Sequence, residues 1–257
     1  MRFASLGSGS RGNALIVEAG VSRLLLDCGF SPREAKLRLG RLGLEPEDVS
    51  GLVITHEHSD HVGGAVRFAL RYGLTLWLTC GTLSALQAAG GALPRTELIV
   101  GDQPFAFGDI EVLPYPVPHD AREPVQFVFC DGRSRLGVLT DAGCVTPHIE
   151  NCLRECAALV LECNHDSGML SRGAYPQYLK ARIAGRFGHL DNEAAAALLA
   201  AVASPKLEHV VAAHLSEKNN RPELARQSLA GALGCAEEWI SVAQQQDGLP
   251  WRALCSR

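Results

Sequence analysis

Three histidines and an aspartate stand together in His56-Glu57-His58-Ser59-Asp60-His61, directly after the apolar run Leu52-Val53-Ile54. Imidazoles and carboxylates at this density are costly to bury without partners, and a divalent metal ion is a partner that both accept. In an extended segment residues i and i+2 project to one side, so His56 and His58 can share one ion. If the chain turns into a helix at Asp60, then Asp60 and His61 point elsewhere and can serve a second ion. Four donors from one loop cannot close two sites, so other strand ends must contribute. Three do: His119 in Pro118-His119-Asp120, Asp141 in Thr140-Asp141-Ala142-Gly143, and His214 in Ala212-Ala213-His214-Leu215. Each stands where an apolar run stops, as a site on the edge of a sheet requires, and the Asp141 carboxylate can bridge two ions.

Two divalent ions side by side lower the pKa of a shared water towards about 7 and act as Lewis acids on a phosphoryl oxygen. The donor set suits Zn(II), and Mn(II) or Fe(II) accept the same groups. Within this chemistry Asp60 is the candidate to orient or deprotonate the attacking water. His189 is the candidate to contact a scissile phosphate or protonate a leaving oxygen, because it precedes a helix whose N-terminus favours an anion. Asn164, His165 and Asp166 follow the run Ala158-Leu159-Val160-Leu161 and are expected near the same face, contacting substrate or supporting the ligands. Arg172, Arg186 and Asn192 complete the candidate substrate-binding set.

Residues 167–190 contain no acid but include Arg172, Lys180, Arg182 and Arg186, with Tyr175, Tyr178 and Phe187 among them. Such a stretch either tracks a phosphate backbone and stacks bases or is a solvated helix face with a few core aromatics. Residues 8–13, Ser-Gly-Ser-Arg-Gly-Asn, either wrap backbone N–H groups round a phosphate or form a tight turn between strands.

Short β-rich runs punctuated by glycine predict strands over 2–6, 13–19 and 22–28. Ser31-Pro32 opens a helix to about residue 42, with proline at the first-turn position that tolerates a missing N–H. A strand over 49–55, a helix over 60–72, a strand over 74–79 and a helix over 82–89 come next. Strands lie within 97–118, 125–130 and 135–140. The remainder alternates: helix 146–155, strand 157–162, helices 173–184 and 192–202, strand 208–213, helix 222–232. Meanders take up too much of the chain for a doubly wound parallel sheet, so the expected fold is α/β, a four-layer αββα sandwich in one domain over 1–257.

Of the 257 residues 47% are hydrophobic and 20% charged, which supports a packed core and excludes disorder as the main state. No run approaches the ~18 apolar residues that span a bilayer, and the N-terminus breaks into Ser and Gly too early for a secretory signal. The expectation is a cytoplasmic protein without a membrane partner, its nine cysteines reduced and mostly packed as small hydrophobes. A formal charge of -4 argues against nonspecific coating of nucleic acid but not against a local basic groove.

The H-x-H-x-D-H pattern at 56–61 resembles the signature of the metallo-β-lactamase-fold hydrolases, and His119, Asp141 and His214 follow in that family's order. The resemblance implies the αββα sandwich. It also implies that His56, His58 and His119 hold one ion, that Asp60, His61 and His214 hold a second, and that Asp141 bridges them. Further segments resemble the YycJ/WalJ-type branch, whose members are regarded as DNA exonucleases. They are SLGSGSRGNALIVE at 5–18, LLLDCGF at 24–30, TDAG at 140–143, LECNHD at 161–166, GHLDN at 188–192 and AHLSEKNN at 213–220. That branch has Ser where this chain has Asp191, and Asp caps a helix as well.

The resemblance therefore implies a dinuclear metal-dependent phosphodiesterase with nucleic acid, DNA, as its substrate. Two alternatives stand beside it: a thioester or lactone hydrolase of the glyoxalase-II-like type using the same metals, and a non-catalytic regulatory module of the same fold. The full set of candidate ligands speaks against the module. Electron-transfer diiron relatives are disfavoured because they place Glu where His58 stands.

Overall fold

The computed structural model describes residues 1–255. Near the N-terminus, β1 (Arg2–Gly7), β2 (Ala14–Ala19) and β3 (Ser22–Leu26) form an antiparallel meander. The chain then crosses through α1 (Pro32–Arg41) to β4 (Gly51–Val53), which pairs parallel with β3. The short helices α2 (Ser59–Val62) and α3 (Ala65–Tyr72) lead to β5 (Leu76–Leu78), and α4 (Cys80–Ala89) leads to β6 (Thr96–Leu98), both strands parallel to β4.

The second sheet begins with the antiparallel strands β7 (Phe105–Phe107), β8 (Ile110–Pro116), β9 (Val125–Cys130) and β10 (Arg135–Leu139). It continues in parallel through α5 (Pro147–Leu153) to β11 (Ala158–Glu162). Helices α6 (Ser167–Arg172), α7 (Gln177–Ile183) and α8 (Asn192–Val202) precede β12 (His209–Ala213), and α9 (Pro222–Leu233) precedes β13 (Ile240–Val242). The last strand, β14 (Leu249–Ala253), returns to the first sheet and pairs antiparallel with β1. The orders are β14-β1-β2-β3-β4-β5-β6 and β13-β12-β11-β10-β9-β8-β7.

Alternation of side chains along each strand divides the apolar residues among three cores. Leu24 and Leu26 of β3 and Val53 of β4 face Phe127, Val138 and Val160 between the sheets. Leu25, Leu52 and Ile54 face the other way, onto Ala35 and Leu39 of α1 and Phe68 of α3. In the second sheet Leu159, Leu161, Val210 and Ala212 meet Leu198 and Leu199 of α8 and Leu229 of α9. Strands buried on both faces must be apolar throughout, which is why these runs are continuous rather than alternating. The result is the expected αββα sandwich. No helix among the described residues is long and apolar enough to cross a membrane.

Three expected elements come out differently. The strand over 49–55 is regular only over Gly51–Val53, and beyond it Ile54 still donates to the Trp77 carbonyl at 2.9 Å before the chain reaches the sheet edge. The helix over 60–72 is interrupted at Gly63-Gly64, where the chain runs so close to Phe30 that a Cβ on Gly64 would lie 1.6 Å from its carbonyl oxygen. The helix over 173–184 forms only over Gln177–Ile183, as α7 after Pro176, and a separate helix that was not expected, α6, capped by Asp166 and ended at Gly173, precedes it. Strands β13 and β14 went unpredicted, since each is short and held by its neighbours.

Candidate metal centre

Strands β3, β4, β8, β10, β11 and β12 run in one sense within their sheets, so their C-terminal ends collect on one edge. Asp27, His56, His119, Asp141, Glu162 and His214 stand at or just beyond those ends. Asp60 and His61 come from α2, which begins there. Asp27, Asp141 and His214 have φ of 59°, 52° and 53°, in the left-handed region that costs a non-glycine residue about 1 kcal/mol or more. The sheet ends turn sharply at these residues and the surrounding contacts hold them there. Gly29 makes room for α2, since a Cβ on it would meet the Asp60 carbonyl oxygen at 1.9 Å.

The donor atoms fall into overlapping groups, each within 4.8 Å: His56, His58 and His119; Asp60, His61 and His214; and His56, His61 and Asp141. His119 Nε2 lies 3.2 Å from His58 Nδ1. Asp141 Oδ2 lies 3.0 Å from His61 Nε2 and 3.1 Å from His214 Nδ1. Asp60 Oδ2 is 3.5 Å from His61 Nε2 and 3.8 Å from His214 Nε2. His56 Nε2, Asp141 Oδ2 and His214 Nδ1 are buried without a hydrogen-bond partner. Buried polar atoms left unpaired are expensive, and a cation among them satisfies all three, so the set fits divalent metal.

The opposite ring nitrogens are held by the protein. His61 Nδ1 lies 2.7 Å from Asp27 Oδ2, and Asp27 also accepts from the Thr55 backbone N–H and hydroxyl, each at 2.9 Å. His56 Nδ1 meets the Thr55 hydroxyl at 2.9 Å, and His119 Nδ1 meets the Gly188 carbonyl at 3.0 Å. Fixing one nitrogen sets the ring's orientation and leaves the other for a ligand. Asn13 reaches from the loop after β1, with Nδ2 3.2 Å from both Asp60 Oδ2 and His61 Nε2. Residues 8–13 thus serve as a brace in this structure, with the Ser8 hydroxyl accepting from the His214 backbone N–H at 2.8 Å.

The charge states suit metal binding. Burial works against the Asp141 carboxylate, but His214 and His61 overcome it and hold the group well below its ordinary range. Burial, aided by His61, keeps the His56 ring neutral. His189 behaves differently. Burial disfavours its charge, yet Glu162, with help from Asp141 and Asp60, raises it to about 9. Its Nδ1 lies 2.7 Å from Glu162 Oε1, whose other oxygen accepts from the Ala142 and Leu190 backbone N–H groups.

Above the donors lies a cavity of about 350 Å³, lined by His58, Asp60, Asp141 and His214 on one side and by Leu179, Arg182, Ile183 and His189 on the other. The acid-free segment therefore closes over the metal centre. Gly143 seats it, since a Cβ there would come within 2.4 Å of the Arg186 backbone. Arg182 pairs with Asp120 at 2.7 Å, while Arg172 and Arg186 are exposed.

The other candidate substrate contacts are turned inward. Asn164 donates to the His214 carbonyl at 3.1 Å, Asp166 caps α6 through the Met169 N–H, and Asn192 exchanges hydrogen bonds with Asn220. His165 is 2% exposed and lines a neighbouring cavity. Asp191 accepts from the Ala194 N–H at 2.7 Å, the helix-capping role expected where the branch has Ser. Sequence reasoning missed Asp27 and Glu162. Both carry the signal that located Asp141, a carboxylate directly after an apolar strand.

Residues 22–215 match the family described as beta-lactamase superfamily domain. The chain is 38% identical over 236 residues to exodeoxyribonuclease YycJ of Bacillus anthracis, covering 91% of this chain and 89% of that protein. It is 31% identical over 245 residues to exodeoxyribonuclease WalJ of Streptococcus pneumoniae, covering 94% and 91%. Among solved structures, the metallo-beta-lactamase fold protein YhfI from Bacillus subtilis superposes with a TM-score of 0.75 at 15% identity, covering 98% of this chain and 99% of that one.

Proposed function

The chain belongs to the beta-lactamase superfamily and is a metal-dependent hydrolase, and from that premise we propose that it is a dinuclear phosphodiesterase that removes nucleotides from DNA ends. One observation carries the reading: the acid-free segment roofs the cavity over the donors, so a phosphate chain entering it meets His189 and Arg182, the latter held in the lining by Asp120. Exodeoxyribonuclease relatives matched over nearly their whole length support the same substrate class.

His56, His58 and His119 would hold one ion, and Asp60, His61 and His214 the other, with Asp141 between them. Zn(II) or Mn(II), with Fe(II) also suited to the donors, would supply Lewis acidity towards a phosphoryl oxygen and a more acidic water. The protein's own groups do the rest. Asp60 accepts the proton of the attacking water, positioned by Asn13 at its Oδ2. His189, its Nδ1 engaged by Glu162, presents Nε2 to protonate the leaving oxygen. Arg172 and Arg186 stand exposed on the segment to meet the continuing phosphates.

The test incubates metal-loaded protein with end-labelled single- and double-stranded DNA, RNA and a small thioester, beside Asp60→Asn. Mononucleotide release from DNA by wild type only is the expected result. Equal release by both proteins, or cleavage of the thioester alone, overturns the proposal.

A further inference from the structure

The cavity over the donors has a larger neighbour. A space of about 610 Å³ adjoins it at His189, which lines both, and its size is within the ~300–1,000 Å³ range of small-molecule sites. Nothing in the metal chemistry requires it. Small side chains open two of its walls: Ala181 from α7 with Ala184 just after it, and Ala194 and Ala197 from α8. Its floor is apolar, made by Leu170, Leu190 and Leu198, each at most 4% exposed.

The polar groups at its margin do not suit a phosphate. The two cations in the lining are already engaged, His189 by Glu162 at 2.7 Å and Lys180 by the Ser171 carbonyl, to which its Nζ donates at 2.6 Å. Two carboxylates face the space, Asp191 and Glu150. Asp191 is already committed, accepting from the Ser167 hydroxyl and capping α8. Glu150 has only a 4.0 Å contact with Arg154, so its oxygens can accept from a ligand's N–H groups. His165, almost fully buried in the same lining, has an Nδ1 without a partner. A flat, neutral ring with an exocyclic amine fits these walls better than an anion does.

We propose that this cavity receives the base and sugar of the terminal nucleotide while the phosphodiester lies across His189 at the donors. The inference rests on the nuclease reading and deepens it. With its base against the leucines and its phosphodiester at the donors, a strand is engaged through its terminal nucleotide, which gives the enzyme a physical basis for working from ends. Glu150 adds a preference for bases that carry an amino group, cytosine and adenine over thymine.

The experiment compares oligonucleotides ending in cytosine, in thymine and in an abasic residue, with bis(p-nitrophenyl) phosphate as a diester that has no base. Removing the terminal base should raise KM at least about tenfold in the wild-type protein. Ala197→Trp, which fills the cavity from an exposed helical position, should raise KM for the cytosine end similarly, abolish the abasic penalty and leave the small diester unaffected. Glu150→Gln should narrow the gap between cytosine and thymine. Equal KM for abasic and intact ends in the wild type overturns the proposal without any variant, and leaves the nuclease reading standing. If no nucleic acid is cut, the nuclease reading fails and direct binding of deoxycytidine decides the cavity. Saturable binding lost in Ala197→Trp sustains it, and absence of binding overturns it.

Discussion

The donor edge and the segment over it are built on opposite plans. Strands β10, β11 and β12 are buried almost throughout, and three residues at the donor edge are locked in left-handed backbone. The roof consists of α6, which buries one residue, and α7, which buries none. A helix with no buried face has little tertiary energy to hold it, so α7 belongs to the low-stability end of the fold. The contrast teaches a division of labour. The candidate metal donors are held by structure that tolerates little change, and the exposed basic side chains sit on helices with little buried surface.

That division can be broken at the donor edge first. His56→Ala and Asp141→Asn should each lose about a hundred- to a thousandfold in diester hydrolysis, on the scale of removed transition-state electrostatics. Chelation of the wild type should match them. Added Zn(II) or Mn(II) should restore the wild type and not the variants, with metal content measured alongside.

A smaller loss is expected one layer out. Asp27→Asn and Glu162→Gln leave every donor in place but loosen the orientation of His61 and His189. Each should cost about 10- to 100-fold in metal affinity or activity, with circular dichroism unchanged.

The roof should give the smallest effect and a different signature. Arg172→Ala and Arg186→Ala should each reduce the salt dependence of DNA binding by about one counterion, leaving turnover of a small diester alone. If those variants abolish turnover of the small diester, the two regions are not separable.

Most of the donor set is legible in sequence because it is local or lies at the end of a recognisable strand. His56, His58, Asp60 and His61 are adjacent, and His119, Asp141 and His214 each close an apolar run. The layers are legible for a similar reason, since runs such as Leu24-Leu25-Leu26 commit one residue to each core in turn. What could not be read depends on distant partners. Asp27 matters because Thr55 and His61 come to it, and Glu162 because Ala142, His189 and Leu190 do. Asn192, expected towards substrate, is held by Asn220, 28 positions away. Helix α6 was missed although its cap, Asp166, and its stop, Gly173, are local, because six residues are too few to show a helical period, and Pro176 delays the start of α7 beyond the expected Gly173.

The closing of β14 onto β1 has a consequence for synthesis. The loop carrying Asn13 is tied down by residues near the other end of the chain: Ser8 N–H donates to the Gln244 carbonyl at 3.2 Å, and the Gln245 side-chain amide donates to the Gly12 carbonyl at 2.9 Å. A ribosome must therefore deliver the chain through residue 245 before the brace on Asp60 is complete. Contacts of such long sequence separation form late. A nascent chain carries the histidines at 56–61 early, but the loop that braces them is tied down only after residue 245 has emerged.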